Sequence, residues 1–141
     1  PDYYELNEFG ELILSPRPTN HHQLRIKSVI AQLDLRLGPN AVGEVSVMTD
    51  RGIRVPDVIW MPFERWAQSG RQTPLPFVPD VCVEVLSPGN TTEEIAMKTS
   101  AYLRGGAREV IVVELDGSVR FHGTEGLRAS SALGIEIRID D

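Results

Sequence analysis

Apolar and polar residues alternate in two short runs near the start of the chain, Tyr3-Tyr4-Glu5-Leu6 and Glu11-Leu12-Ile13-Leu14. The intervening Asn7-Glu8-Phe9-Gly10 suits a turn closed at the glycine, which predicts an N-terminal β-hairpin ended by Pro16 and Pro18. The period then changes. From an N-cap at Thr19 or Asn20, Ile26, Val29, Ile30, Leu33 and Leu37 recur at helical spacing until Gly38-Pro39, predicting a long amphipathic helix laid on a sheet. Val42–Met48 and Ile53–Trp60 follow as two strands around Thr49-Asp50-Arg51-Gly52, a tight-turn sequence that pairs them antiparallel. Residues 62–77, with Pro62, Ser69, Gly70, Pro74 and Pro76, predict a loop with room for one helical turn.

Val81–Leu86 is β-branched enough for a central strand buried on both faces, and Ser87-Pro88-Gly89 ends it. Thr91 and Glu94 stand in capping-box spacing at the head of a helix that runs to Gly105-Gly106. Glu109–Glu114 is a second buried strand, Asp116-Gly117 a hairpin turn and Ser118–His122 its return. Residues 134–139 alternate like an edge strand. The strand, helix and strand from Val81 to Val113 form a parallel, right-handed unit. The class is therefore α/β, a mixed β-sheet flanked by helices.

At 141 residues the chain has the size of one domain, expected over 1–141, and needs no disulfide or structural metal to fold. Cys82, the single cysteine, excludes an internal disulfide and a cysteine zinc site, and a buried thiol suits an intracellular protein. No apolar run reaches membrane-spanning length and no signal pattern opens the chain, so a soluble, cytoplasmic protein with no membrane partner is expected. A net charge of -6 disfavours nonspecific grip on phosphate backbones and confines any nucleic-acid site to a local patch. P-loop and Gly-x-Ser-x-Gly motifs are absent from the sequence.

Candidate chemistry begins where polar residues interrupt apolar runs. Glu84 lies inside Val83-Glu84-Val85-Leu86, and burial of a carboxylate calls for a cation, a metal or a raised pKa. Asp57 repeats the anomaly at the head of Val58-Ile59-Trp60. Asp80, Cys82 and Glu84 share one strand face, Asp80 being read as a strand-entry residue after Pro79. Glu44 is either a third inner carboxylate or the polar face of an edge strand. Ile95, Lys98, Thr99 and Tyr102 fall on one helical face, from which Lys98 either snorkels to water or reaches the neighbouring carboxylates. Two or three carboxylates and a lysine are what a Mg²⁺ site for phosphodiester cleavage needs. His21 and His22, at a helix start, read as surface residues.

Val55-Pro56-Asp57-Val58, Val83-Glu84-Val85-Leu86-Ser87-Pro88, Lys98 with Tyr102, and Gly106 with Glu109-Val110-Ile111-Val112-Val113 together resemble the bacterial Uma-two family, also called domain of unknown function 820. That family belongs to the PD-(D/E)xK restriction-endonuclease-like superfamily, and the resemblance runs from the first hairpin to the strand after Asp116-Gly117. It implies a restriction-endonuclease-like fold with Asp57 in the Asp position and Glu84 in the following Asp/Glu position. The superfamily lysine is expected two residues after Glu84, where Leu86 stands, so Lys98 resembles the migrated lysine of some members.

The implied function is a Mg²⁺- or Mn²⁺-dependent endonuclease acting on nucleic acid, DNA in the first instance. Asp57, Glu84 and Lys98 are the expected catalytic residues, and Asp57, Glu84 and Glu44 the metal ligands. Arg51, Arg54, Arg65 and Arg71 surround Asp57 in sequence as candidates for phosphate contacts. The alternative is a catalytically inactive nuclease-fold module for binding or oligomerisation, and edge strands such as 135–139 leave a homodimer open.

Overall fold

The computed structural model describes residues 3–69 and 71–141. Within them the chain runs β1 (Tyr3–Leu6), β2 (Leu12–Ser15), α1 (Asn20–Leu37), β3 (Ala41–Gly43), β4 (Val47–Thr49), β5 (Gly52–Arg54), β6 (Val58–Trp60), α2 (Phe63–Ser69), β7 (Val81–Val85), α3 (Thr92–Arg104), β8 (Glu109–Val113), β9 (Val119–Gly123) and β10 (Gly126–Arg128). These strands make two sheets where one was expected: a small one in the order β2-β1-β5-β4 and a larger one in the order β10-β9-β8-β7-β6-β3.

The division comes from a bend in a single hairpin. Val42–Met48 and Ile53–Trp60 do pair antiparallel around a two-residue turn, but each is broken midway, so that β4 pairs with β5 in the small sheet while β3 pairs with β6 in the large one. Both ladders keep the same register, which sets Glu44 opposite Asp57, and the Glu44 N–H donates to the Asp57 carbonyl at 3.3 Å. Glu44 takes φ 57°, a left-handed conformation costly for a residue with a Cβ, and Pro56 on the other arm has no N–H to give the ladder. At the hairpin tip Gly52 has φ 94° and crosses so close to β1 that an added Cβ would overlap the Leu6 carbonyl. That close approach docks the N-terminal hairpin, through the pair Leu6 and Ile53, onto the bent arm.

In the large sheet β7 and β8 are parallel and α3 forms the crossover between them, as the sequence pattern required. Alternation divides the core by face. Val81, Val83, Val85, Ile111 and Val113 meet Val29 and Leu33 of α1, whereas Cys82, Val110 and Val112 meet Tyr102 of α3 with Leu75 and Val78 of the preceding loop. The helix ends follow side-chain chemistry: Thr19 Oγ1 caps the His22 N–H and Thr91 Oγ1 caps the Glu94 N–H, each at 3.1 Å.

Two expectations need correction. Residues 62–77 contain the two-turn helix α2, held by the Arg65–Asp80 ion pair at 2.5 Å and by Trp66 Nε1 donating to the Asn40 carbonyl at 3.2 Å. Residues 134–139 form no strand. Their alternation instead sends Ile135 and Ile137 into the α1-side core, while the side chain of Gln32 bonds both the N–H and the carbonyl of Arg138, at 2.8 and 2.7 Å. Since one amide side chain takes the place of a neighbouring strand, this segment is not the pairing edge on which a homodimer was to rest.

Candidate metal and catalytic centre

The register Val58 to Val83, continued one step beyond the β6–β7 ladder, sets Asp57 alongside Glu84. There the bent arm leaves the sheet and strands the backbone N–H of Val85. Asp57 Oδ2 accepts that hydrogen at 2.7 Å, so the carboxylate caps a strand end and is fixed by it. His22, in the first turn of α1, donates from Nε2 to the Val85 carbonyl at 2.7 Å and lies 3.5 Å from Asp57 Oδ2. Asp57 raises the pKa of this imidazole above its ordinary value against the opposing effect of burial. His22 Nδ1 is buried without a partner. The pair His21-His22 therefore divides: His21 is on the surface beside Asp141, and His22 is packed against the centre.

Glu84 is 4% exposed and projects on the α3 side, where Tyr102 donates its hydroxyl to Oε2 at 2.8 Å. Lys98, one turn before Tyr102, brings Nζ to 4.0 Å from Glu84 Oε1. Burial first, and then repulsion from Asp57 and Glu5, pushes the Glu84 pKa up to about 8 despite the Lys98 charge and the Tyr102 hydrogen bond. For Lys98, burial works against the ammonium, but Glu84 and Glu5 outweigh it and the pKa is raised, so the lysine is a permanent cation.

The nearest carboxylate to Lys98 is Glu5 of β1, whose Oε2 lies 2.9 Å from Nζ. Glu5 also accepts from the Val55 N–H at 2.7 Å and from Arg54 Nη1 at 3.2 Å. Its only signal in the sequence was a polar residue at an alternating position, which an outward-facing strand side explains equally well. Among the described residues no ion pair within 4.0 Å joins Lys98 to Asp57, so of the two expected carboxylates the lysine lies near Glu84 alone, at 4.0 Å. Glu44 is exposed at the bend, its N–H bonded to the Asp57 carbonyl.

The arginines near Asp57 are largely committed elsewhere: Arg51 pairs with Glu8, Arg54 with Glu5 and Arg65 with Asp80. Asp80 is thus held by an ion pair at its strand entry and does not join Glu84, although it lies on the same strand face. A groove of about 960 Å³ between α3 and β8–β9, floored by Leu86, Ile95, Leu103 and Val112, contains none of Asp57, Glu84 and Lys98. Glu114 and Asp116 also line it, and Glu114 is paired with Arg120.

Among the described residues no cluster of three or more His, Cys, Asp and Glu side chains is arranged to hold a metal. A Mg²⁺ ion, however, is ordinarily held by one or two carboxylates and keeps several waters, completing its shell with substrate phosphate. Asp57 and Glu84 meet that requirement: both are hard oxygen donors, set alongside each other by strand register. The residues present fit a dication of this kind.

A family model named Uma2 and described as "Putative restriction endonuclease" matches residues 2–125. Among solved structures the chain is similar to a "putative nuclease belonging to DUF820" from Anabaena variabilis ATCC 29413. The identity is 18%, the TM-score 0.76, and the match covers 91% of this chain and 78% of that one. No curated protein matches. At that identity the structural likeness establishes the fold, a mixed α/β nuclease fold.

Proposed function

The chain belongs to the Uma2 family of restriction-endonuclease-like proteins, and on that premise we propose that it is a divalent-metal-dependent endonuclease hydrolysing nucleic acid, DNA in the first instance. The observation that carries this reading is the buried carboxylate of Glu84, set alongside Asp57 by strand register and 4.0 Å from a lysine that keeps its charge. Asp57 and Glu84 would hold Mg²⁺ or Mn²⁺, with Glu44, across the ladder from Asp57, as an outer oxygen donor. The ion, when bound, lowers the pKa of water and offsets charge on the phosphoryl oxygens.

The protein's own residues divide the remaining work. Lys98, held protonated, cannot accept a proton from water; it donates hydrogen bonds that orient the attacking water and stabilise charge gathering on phosphorus. As the water oxygen bonds to phosphorus, the bond from phosphorus to one sugar oxygen breaks; the water proton passes to solvent and the departing oxygen gains one. Asp57 is kept rigid by the Val85 N–H and Glu84 by the Tyr102 hydroxyl, so neither carboxylate has to reorganise as charge develops.

One observation favours a second reading, a noncatalytic nuclease-fold module: Arg51, Arg54 and Arg65 are engaged by carboxylates of their own chain rather than open to phosphate. The two readings separate on cleavage of double- and single-stranded DNA and of RNA at low salt with Mg²⁺ or Mn²⁺. Wild-type cleavage that disappears in Glu84→Gln and Asp57→Ala supports the enzyme. Cleavage no greater than that of Glu84→Gln on every substrate supports the module.

A further inference from the structure

The N-terminal hairpin takes part in the centre through one residue. In β1, Tyr4 and Leu6 lie on the outer face while Glu5, only 7% exposed, points inward. Its two oxygens have different tasks. Oε1 accepts from Arg54 Nη1 at 3.2 Å, and Oε2 takes both the Val55 N–H at 2.7 Å and the Lys98 ammonium at 2.9 Å. Lys98 lies 4.0 Å from Glu84 Oε1 and 4.0 Å from Glu94 Oε2, so the short contact, and with it the position of the ammonium, belongs to Glu5.

This arrangement matters because a lysine and a buried glutamate left to themselves close into a direct ion pair at about 2.8 Å. A Glu84 oxygen bound by that pair would be lost to a cation. We infer that Glu5 is a positioning residue of this centre: it holds Lys98 back from Glu84, so that the Glu84 carboxylate stays open to a divalent metal while the ammonium remains within reach of the substrate phosphate. The inference deepens the nuclease reading and rests on it for the identity of the ligand, but the hold of Glu5 on Lys98 is a property of the protein alone. Arg54 and the Val55 N–H, both on the bent arm that leads into Asp57, anchor Glu5 in turn. The hairpin, Asp57 and Lys98 thereby form one connected unit.

A crystal structure of Glu5→Gln at pH 9, where the Glu84 carboxyl is ionised, tests the hold directly and without metal. The amide oxygen still accepts from Val55 N–H, while the charge that holds Lys98 is gone. Lys98 Nζ is expected to move to about 3 Å from Glu84, and an unmoved Lys98 overturns the inference. The second test is a double-mutant cycle on Mn²⁺ binding by calorimetry, comparing wild type, Glu5→Gln, Lys98→Met and the pair. Glu5→Gln is expected to weaken Mn²⁺ about tenfold beside Lys98 and less than about threefold beside Lys98→Met, because Glu5 acts through the lysine. Equal weakening in both backgrounds would mean a general field effect, and overturns the inference. Where Glu5→Gln does not fold, Glu5→Asp, which keeps the charge but withdraws it from Lys98, enters the same measurements. A wild type that neither binds Mn²⁺ nor cleaves removes the nuclease reading, and the crystal structure still decides whether Glu5 holds Lys98.

Discussion

Tyr102 donates its hydroxyl hydrogen to Glu84 Oε2 at 2.8 Å, and both side chains are buried. The bond joins the helix that carries Lys98 to the strand that carries Glu84. Removing the hydroxyl leaves a buried carboxyl short of a donor, for which about 1–3 kcal/mol is the usual cost. Tyr102→Phe should lower stability by that amount in urea unfolding at neutral pH while the ring continues to pack against Cys82 and Val110.

The metal-free protein should lose stability as pH rises from about 5 to 8. The folded-state pKa of Glu84 is pushed up to about 8, above its ordinary value, so across this window the folded protein holds a proton that the unfolded chain has released. The contribution is fully present below the ordinary carboxylate range and disappears as pH passes 8. Each pKa unit corresponds to about 1.4 kcal/mol, so the decline amounts to a few kcal/mol. Melting temperatures should show this slope in wild type and a flatter curve in Glu84→Gln.

At pH 9, where Glu84 is ionised, Lys98→Met should destabilise more than a surface change, because it leaves Glu5 and Glu84 without the cation they share. Breaking a buried ion pair from one side costs about 3–5 kcal/mol. Adding Glu84→Gln to Lys98→Met should restore part of that loss. Calorimetric unfolding of the two single variants and the double variant measures the recovery, and no recovery would show that the two charges are not coupled.

The C-terminal segment should matter to the core although it forms no strand. Ile137→Ala removes a side chain packed among Val29, Leu33 and Val113, for which about 2–5 kcal/mol is typical. Gln32→Ala should cost about 0.5–1.5 kcal/mol by losing two hydrogen bonds to the Arg138 backbone. Thermal unfolding checks both, and neutral outcomes would mean that the segment is detached in solution.

The sequence disclosed the parts of the fold that its periodicities encode directly. Helical spacing gave α1 and α3, and the capping threonines marked their starts. Uninterrupted β-branched runs gave the parallel pair β7 and β8. Glu84 and Asp57 were visible as polar residues where burial demanded apolar ones, and the face shared by Ile95, Lys98 and Tyr102 turned Lys98 toward Glu84. Glu5 and His22 were invisible for the opposite reason. Glu5 occupies the polar side of an alternating strand, and His22 lies in the all-polar run from Asn20 to Gln23, so neither breaks a pattern. The bend at Glu44 and Pro56 keeps the register of the hairpin while moving half of it to another sheet, a change of direction that alternation does not record. At 134–139 the alternation was real, but a side chain from α1 supplied the hydrogen bonds that a strand would have given.

The contacts that tie Asp57, Glu5 and His22 into place span 28, 50 and 63 residues of chain. Contacts across such separations form after local helices, because the entropy of closing long loops must first be overcome. The centre draws on residues from Glu5 to Tyr102, so a fragment that ends before Tyr102 lacks part of it. On refolding, helical signal should return ahead of any response to Mn²⁺, so the interval between the two times the closing of the bent hairpin over the strand ends.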